Sequence, residues 1–228
     1  MNKKDSSIKP SNCLIPEGLY PTADEISKAE QDASRMFKQF LKLAKRNNPQ
    51  AQFNLGVCYF NGKGVTQNYE EAFTWFKKAA KQGLAQAQFN LGVCYRDGEG
   101  VTQNYEEAFK WFEKAAEQGD ALAQFDLGLC YRNGEGVTQN YEEAFKWFEK
   151  AAKEGDVKAQ FNLGVCYRNG EGIIQNYEEA FKWFEKAAKQ GDAQAQCALG
   201  FGYLKGEGIT QNYEEAFKWF EKAAKQGD

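Results

Sequence analysis

From Ala51 onward the apolar residues recur with helical spacing. In the segment running to Phe60, Ala51, Leu55, Cys58 and Tyr59 fall at i, i+4, i+7 and i+8 on one side of a helical wheel, while Phe53, Val57 and Phe60 fall on the other. A helix that is apolar on two sides must be sandwiched between neighbours or offer one side to a ligand. The following segment opens with Asn68-Tyr69-Glu70-Glu71, an asparagine cap with a glutamate at N3, and closes at Gly83. Its wide apolar stripe is Ala72, Phe73, Trp75, Phe76, Ala79 and Ala80, with Glu70, Glu71, Lys77, Lys78 and Lys81 left to water. The pattern predicts two helices, A and B, joined by a Gly-x-Gly turn.

This unit recurs at a strict period of 36 residues, in copies beginning at Ala51, Ala87, Ala123, Ala159 and Ala195. Leu55, Leu91, Leu127, Leu163 and Leu199 coincide, as do Tyr59, Tyr95, Tyr131, Tyr167 and Tyr203, and Trp75, Trp111, Trp147, Trp183 and Trp219. Helix A starts at an N-cap such as Asp120 or Asp156 and stops at Asn133-Gly134 or Asn169-Gly170, where a left-handed residue is easy. Neither helix can bury its stripe alone, so adjacent copies must stack. The expected fold is all-α, a solenoid of five tandem repeats over residues 51–228. Residues 23–50 look like half of a worn copy: a shift of 36 places Phe37, Phe40, Ala44 and Lys45 on Phe73, Phe76, Ala80 and Lys81. A helix from Ser27 to Arg46 is therefore expected to cap the first repeat, preceded by a flexible tail, residues 1–22. The sequence ends at a repeat boundary with no matching cap, which suggests an exposed last helix, a shortened chain or two chains meeting end to end.

Composition narrows the chemistry. There is no histidine, which removes the usual general base near neutral pH and the commonest metal ligand. The net charge is -3, with nine Lys/Arg against six Asp/Glu in residues 1–50 and 20 against 26 in the repeats, so a basic nucleic-acid footprint is not expected. No stretch approaches the roughly 20 apolar residues of a membrane span, and Cys13-Leu14-Ile15 is too short for a secretory core. The expected location is the cytoplasm, although signal-independent export as an effector would leave no mark in the sequence.

The string LGxxYxxGxGVxxNYEEAFxWFxKAAxxG closely resembles the Sel-one-like repeat (SLR) family, α/α solenoids related to tetratricopeptide repeats. The resemblance implies a right-handed superhelix with the A helices on its concave side. It also implies roles as adaptors in assembly, signalling or host interaction, and no shared enzyme activity. The cysteine-rich Helicobacter members, associated with binding or hydrolysing β-lactams, carry two linked cysteines per repeat. Here Cys58, Cys94, Cys130 and Cys166 occur once per repeat. Equivalent positions on stacked helices lie about 8–10 Å apart, beyond the roughly 7 Å Cα limit for a disulfide, so buried free thiols are expected. Near-identity of the copies fits recent duplication or a consensus-type array without a native ligand.

Other chemical motifs have structural explanations. Gly98-Glu99-Gly100 follows a helix and recurs in every copy, which suits a turn better than a phosphate cradle. Ser6-Ser7-Ile8-Lys9 has the Ser-x-x-Lys spacing of penicillin-binding enzymes, without their companion motifs. The Glu70-Glu71 pair and its copies suit the first turn of a helix, and the Trp75 series sits on a core stripe, so packing is expected over sugar stacking. No cofactor, metal or catalytic residue is expected.

One row of helix A varies. The residues after the tyrosine are Phe60, Arg96, Arg132, Arg168 and Leu204, and those before the leucine are Asn54, Asn90, Asp126, Asn162 and Ala198. The expectation is a protein or peptide partner bound on the A-helix face, with Arg96, Arg132 and Arg168 holding carboxylates or carbonyls and Asn54, Asn90 and Asn162 bonding its backbone. The competing readings are a solvated charge row and a peptidoglycan- or β-lactam-binding protein.

Overall fold

The computed structural model describes residues 23–226. The expected tail, the Ser6–Lys9 spacing within it, and Gly227 and Asp228 lie outside the described residues. Among the described residues the chain is eleven α-helices without a strand. Helix α1 (Ala23–Ala44) is followed by five A–B pairs: α2 (Pro49–Asn61) with α3 (Tyr69–Lys81), α4 (Ala85–Asp97) with α5 (Tyr105–Glu117), α6 (Ala121–Asn133) with α7 (Tyr141–Lys153), α8 (Val157–Asn169) with α9 (Tyr177–Lys189), and α10 (Ala193–Lys205) with α11 (Tyr213–Ala224). Each helix packs chiefly on its neighbours in chain order, so this is an α/α solenoid. No described helix is long and apolar enough to cross a membrane.

Local chemistry sets the boundaries. The side chains of Asp120, Asp156 and Asp192 accept hydrogen bonds from the amides of Ala123, Ala159 and Ala195 at 2.7–2.9 Å, and Asn48 does the same for Ala51. Leu84 stands at the corresponding position of α4 without a side-chain cap. The first A helix opens at Pro49, whose missing N–H suits a first helical position. Each B helix starts at an asparagine, as Asn104 accepts from the Glu107 amide at 3.0 Å.

The doubly apolar A helix is sandwiched. Ala87, Leu91 and Cys94 are buried in a cluster with Ala72, Phe76, Ala79 and Ala80 of α3. On the other side of α4, Phe89 and Val93 pack on the cluster of α5 and α6. Within a repeat the A and B helices approach closely because the A helix has a glycine at the crossing: a Cβ on Gly92 would lie 2.6 Å from the Phe112 ring.

Two sets of ties join successive repeats. The ring of Phe73 meets that of Tyr95 edge-on at 5.3 Å, and the arrangement recurs at Phe109–Tyr131, Phe145–Tyr167 and Phe181–Tyr203. Beside it Gly100, at φ +73°, lies so near the Tyr69 carbonyl that a side chain would collide with it. The Gly-x-Gly turn thus serves both helix termination and close stacking.

The second set was not anticipated. Gln52, Gln88, Gln124, Gln160 and Gln196 are buried. Each donates from Nε2 to a carbonyl near the end of the preceding B helix or α1, Ala44, Ala80, Ala116, Ala152 and Ala188 respectively, at 3.2–3.5 Å. Within its own repeat, the Oε1 atom of each of Gln52, Gln88, Gln160 and Gln196 accepts from Gln82, Gln118, Gln190 and Gln226 in turn, at 2.6–2.9 Å. In the third repeat the donor is replaced by Glu154, and Gln124 Oε1 is buried without a partner.

Helix α1 takes the place of a B helix. Phe37 stacks edge-on against Tyr59 at 5.4 Å, and Ala44 is buried as Ala80 is. The correspondence between Phe37 and Phe73 read from a 36-residue shift is therefore also a correspondence of contact.

Candidate functional site

The variable row of the A helices comes together as a line of inter-repeat contacts, linking residues 30 apart on consecutive A helices. Arg96 Nη1 donates to Asp126 Oδ2 at 2.8 Å, and its Nε and Nη2 donate to Asp97 at 2.8 and 3.0 Å. Arg132 Nη1 donates to Asn162 Oδ1 at 2.8 Å, with its Nε 3.3 Å from Glu171 Oε2 of the next loop. Arg168 would reach position 198, where alanine offers no acceptor. Among the described residues its one side-chain hydrogen bond is a 3.4 Å contact from Nε to Asn169 Oδ1, and its guanidinium lies 5.7 Å from the Phe184 ring centre.

The asparagines are unevenly committed. Asn162 accepts from Arg132 and donates to the Lys158 carbonyl at 2.8 Å. Asn90 donates to the Gln86 carbonyl at 2.8 Å, and Asn54 accepts from Gln50 at 3.3 Å. Arg96 and Arg132 are thus ties between repeats, and Arg168 alone of the three lacks a carboxylate or amide tie to the next A helix.

Electrostatics along the row pull in opposite directions. The Arg96 guanidinium is held further toward its charged form, first by its bond to Asp97. The Asp126 carboxyl is pushed above its ordinary value of 3.8, first by burial, with the charge and bond of Arg96 opposing.

The fifth repeat departs from its siblings where Arg168 points. Phe53, Phe89, Phe125 and Phe161 are matched by Cys197, and Val57, Val93, Leu129 and Val165 by Phe201. The aromatic ring has moved one turn along the helix: Phe161 packs on Phe184 at 5.6 Å, whereas Phe201 packs on Phe220 at 5.1 Å. Gly202 replaces the repeat cysteine. Arg168, Tyr177, Phe184, Ala198, Phe201 and Gly202 line a cavity of about 30 Å³, and Glu207 on its wall sits 3.8 Å from Lys205. Phe201 and Gly202 do not belong to the polar row that the sequence marks; the substitutions in the fifth copy, AQCALGFGY against AQFNLGVCY, are the signal they leave in the sequence.

The remaining candidates have structural roles. Cys58, Cys94, Cys130, Cys166 and Cys197 are free, the first four buried and Cys197 partly exposed. Burial pushes the Cys94, Cys130 and Cys166 thiols up to about 12. The tryptophans are covered by lysines, from Lys186 over Trp183 at 3.7 Å to Lys114 over Trp111 at 4.3 Å. Glutamates of the B-helix first turn pair with the lysine three residues on, as Glu107 does with Lys110 at 2.7 Å. Among the described residues no cluster of three His, Cys, Asp or Glu could hold a metal ion.

A tandem α/α solenoid with a shared interior and one varied row defines a repeat protein of the helical-array class. The Sel1 repeat profile matches residues 49–84, 85–120, 121–156, 157–192 and 193–228, and the chain belongs to the Sel1 repeat family. It is similar to a Sel1 repeat protein from Oxalobacter formigenes, at 37% identity and TM-score 0.82 over 90% of this chain and 81% of that one. It is also similar to a protective antigen of uropathogenic Escherichia coli strains displaying an SLR fold, at 38% identity and TM-score 0.81 over 89% of this chain; the match spans 46% of that chain. A Sel1 repeat protein from Klebsiella pneumoniae shares the fold at 24% identity and TM-score 0.54, over 84% of this chain and 93% of that one. No curated protein matches the chain. Proteins of this family are generally scaffolds for protein interaction.

Proposed function

We propose that the chain is a non-enzymatic adaptor that holds a segment of a partner protein along its A-helix face. The observation that carries this reading is the contrast between uniform joints and one varied row. Gln52 to Gln196 and Phe73 to Phe181 repeat nearly without change, whereas Phe60, Arg96, Arg132, Arg168 and Leu204 differ along the surface. A row that varies on an invariant stack is suited to recognition. The free thiols fit the reducing cytoplasm, the compartment proposed for this adaptor.

Crosslinking mass spectrometry in native cells tests the reading. Crosslinks should concentrate on α4, α6, α8 and α10, and Arg96→Glu, Arg132→Glu and Arg168→Glu together should release the partner while helicity by circular dichroism is retained. Capture that survives this triple change, with crosslinks confined to the B helices, would overturn the reading.

A further inference from the structure

We propose that Arg168 is the anchor of a side-chain carboxylate, an Asp or Glu of a partner segment followed by a small apolar residue. The proposal rests on the adaptor reading and gives it an address. Three observations converge on this position.

The first is the missing tie. The Arg96 fork is filled by Asp97 and Asp126, and Arg132 is met by Asn162 and Glu171. Arg168 has the same place on its helix, but position 198 is alanine. Among the described residues Arg168 forms no ion pair, and its single side-chain bond is long, at 3.4 Å. A guanidinium carries five donors in a planar fork, so most of its capacity is unused, and a carboxylate is the geometry that fills a fork with two parallel bonds.

The second is that the arginine is already oriented. Its guanidinium lies over Phe184 as Arg96 lies over Phe112, at 5.7 and 5.8 Å. Stacking limits the rotamer freedom that a ligand would otherwise have to remove.

The third is the space beside it. Alanine at 198 and glycine at 202, where a Cβ would lie 3.1 Å from the Phe181 ring, leave a cavity of about 30 Å³ against α9, with Phe201 at its wall. That volume takes a methyl-sized group. Phe201, 52% exposed, forms an apolar wall for the residue after the carboxylate. Glu207, the counterpart of the Glu171 that meets Arg132, is the acidic residue of the lining and lies 3.8 Å from Lys205, so that among the described residues its ion pair is with that lysine and not with Arg168.

The test uses the whole chain and three peptides: Ac-Ala-Glu-Ala-NH2, Ac-Ala-Gln-Ala-NH2, and acetylalanine with its free terminal carboxylate. Arginine Nε–Hε resonances, assigned by substitution, are followed by NMR during titration. The Glu peptide should shift the Arg168 resonance saturably and leave those of Arg96 and Arg132 in place, and the Gln peptide should bind at least about tenfold more weakly. Arg168→Gln should lower affinity by at least about tenfold. Ala198→Asp is the discriminating variant, because its introduced carboxylate faces Arg168 as Asp126 faces Arg96; it should keep the fold and block the peptide. The assignment is wrong if the Gln peptide binds equally, if Ala198→Asp binds as the unmodified chain does, if acetylalanine alone binds, or if no saturable shift occurs. A null result here with partner crosslinks elsewhere on the A helices removes only this anchor, whereas crosslinks confined to the B helices remove the adaptor reading itself.

Discussion

Gln118 donates a 2.6 Å hydrogen bond to the buried Oε1 of Gln88, and the corresponding bond is lost only where Glu154 stands opposite Gln124. A carboxylate cannot donate, so this one joint encloses an unsatisfied acceptor. Glu154→Gln should restore the bond and stabilise the fold by about 1 kcal/mol, at the lower end of what an unpaired buried group costs. Urea unfolding of the two chains measures the difference, and a variant less stable than the parent would show that Gln124 is satisfied in another way.

Gly92 tests the closeness of the A–B crossing. Alanine is the better helix former by about 1 kcal/mol, yet its Cβ would lie 2.6 Å from the Phe112 ring. Gly92→Ala should therefore destabilise, by about 1–3 kcal/mol as an overpacked core. A gain in stability by the same denaturation assay would mean that the helices have room to part.

The Arg96–Asp126 pair yields a prediction whose sign follows from burial. The folded Asp126 carboxyl titrates above its ordinary 3.8. Its stabilising contribution is therefore fully present below about pH 3.8 and lost as pH rises through the folded value, so the ionised group at pH 7 is a net cost. Asp126→Asn keeps an acceptor for Arg96, as Asn162 does for Arg132, and should be at least as stable as the parent at neutral pH. A loss above about 1 kcal/mol would show that the ion pair outweighs desolvation.

The repeat thiols should govern part of the alkaline transition. Cys94, Cys130 and Cys166 are pushed from 9.0 up to about 12, so their contribution holds below pH 9.0 and is lost as pH rises toward 12. Replacing all three with alanine should flatten that part of the stability curve relative to the parent. In a chain with Cys13→Ser, an aromatic disulfide reagent should label partly exposed Cys197 first and the buried thiols only on unfolding. Equal labelling rates for all five would contradict the burial.

The architecture was legible because its determinants are local and repeated five times. Asn68 with Glu71 marks one helix start, Gly83 marks its end, and the 36-residue return of Leu55, Tyr59 and Trp75 forces stacking. The two-sided apolar pattern of helix A left a sandwich or a ligand-facing side open, and packing on both sides of α4 decides for the sandwich. Longer-range chemistry was less visible. Gln52 and its copies look like solvent residues in a sequence, since glutamine is mostly exposed, and their burial follows from B-helix ends that only the fold brings near. The arginine row was visible as composition, but its ties depend on a 30-residue offset between consecutive A helices. That offset pairs Arg96 with Asp126 and Arg132 with Asn162, and leaves Arg168 opposite Ala198.

The glutamine–carbonyl bond at the joints carries a consequence for heredity. All five buried glutamines donate to the alanine carbonyl eight residues earlier on the preceding helix, in the same register. A gene misaligned with itself by one repeat during recombination would therefore gain or lose a cassette of 36 codons, and the new junction would find a matching donor and acceptor. Array length can change in a single genetic event while the fold persists. The surface row travels with the cassette, so the same event that lengthens the protein also reorders what it presents to a partner.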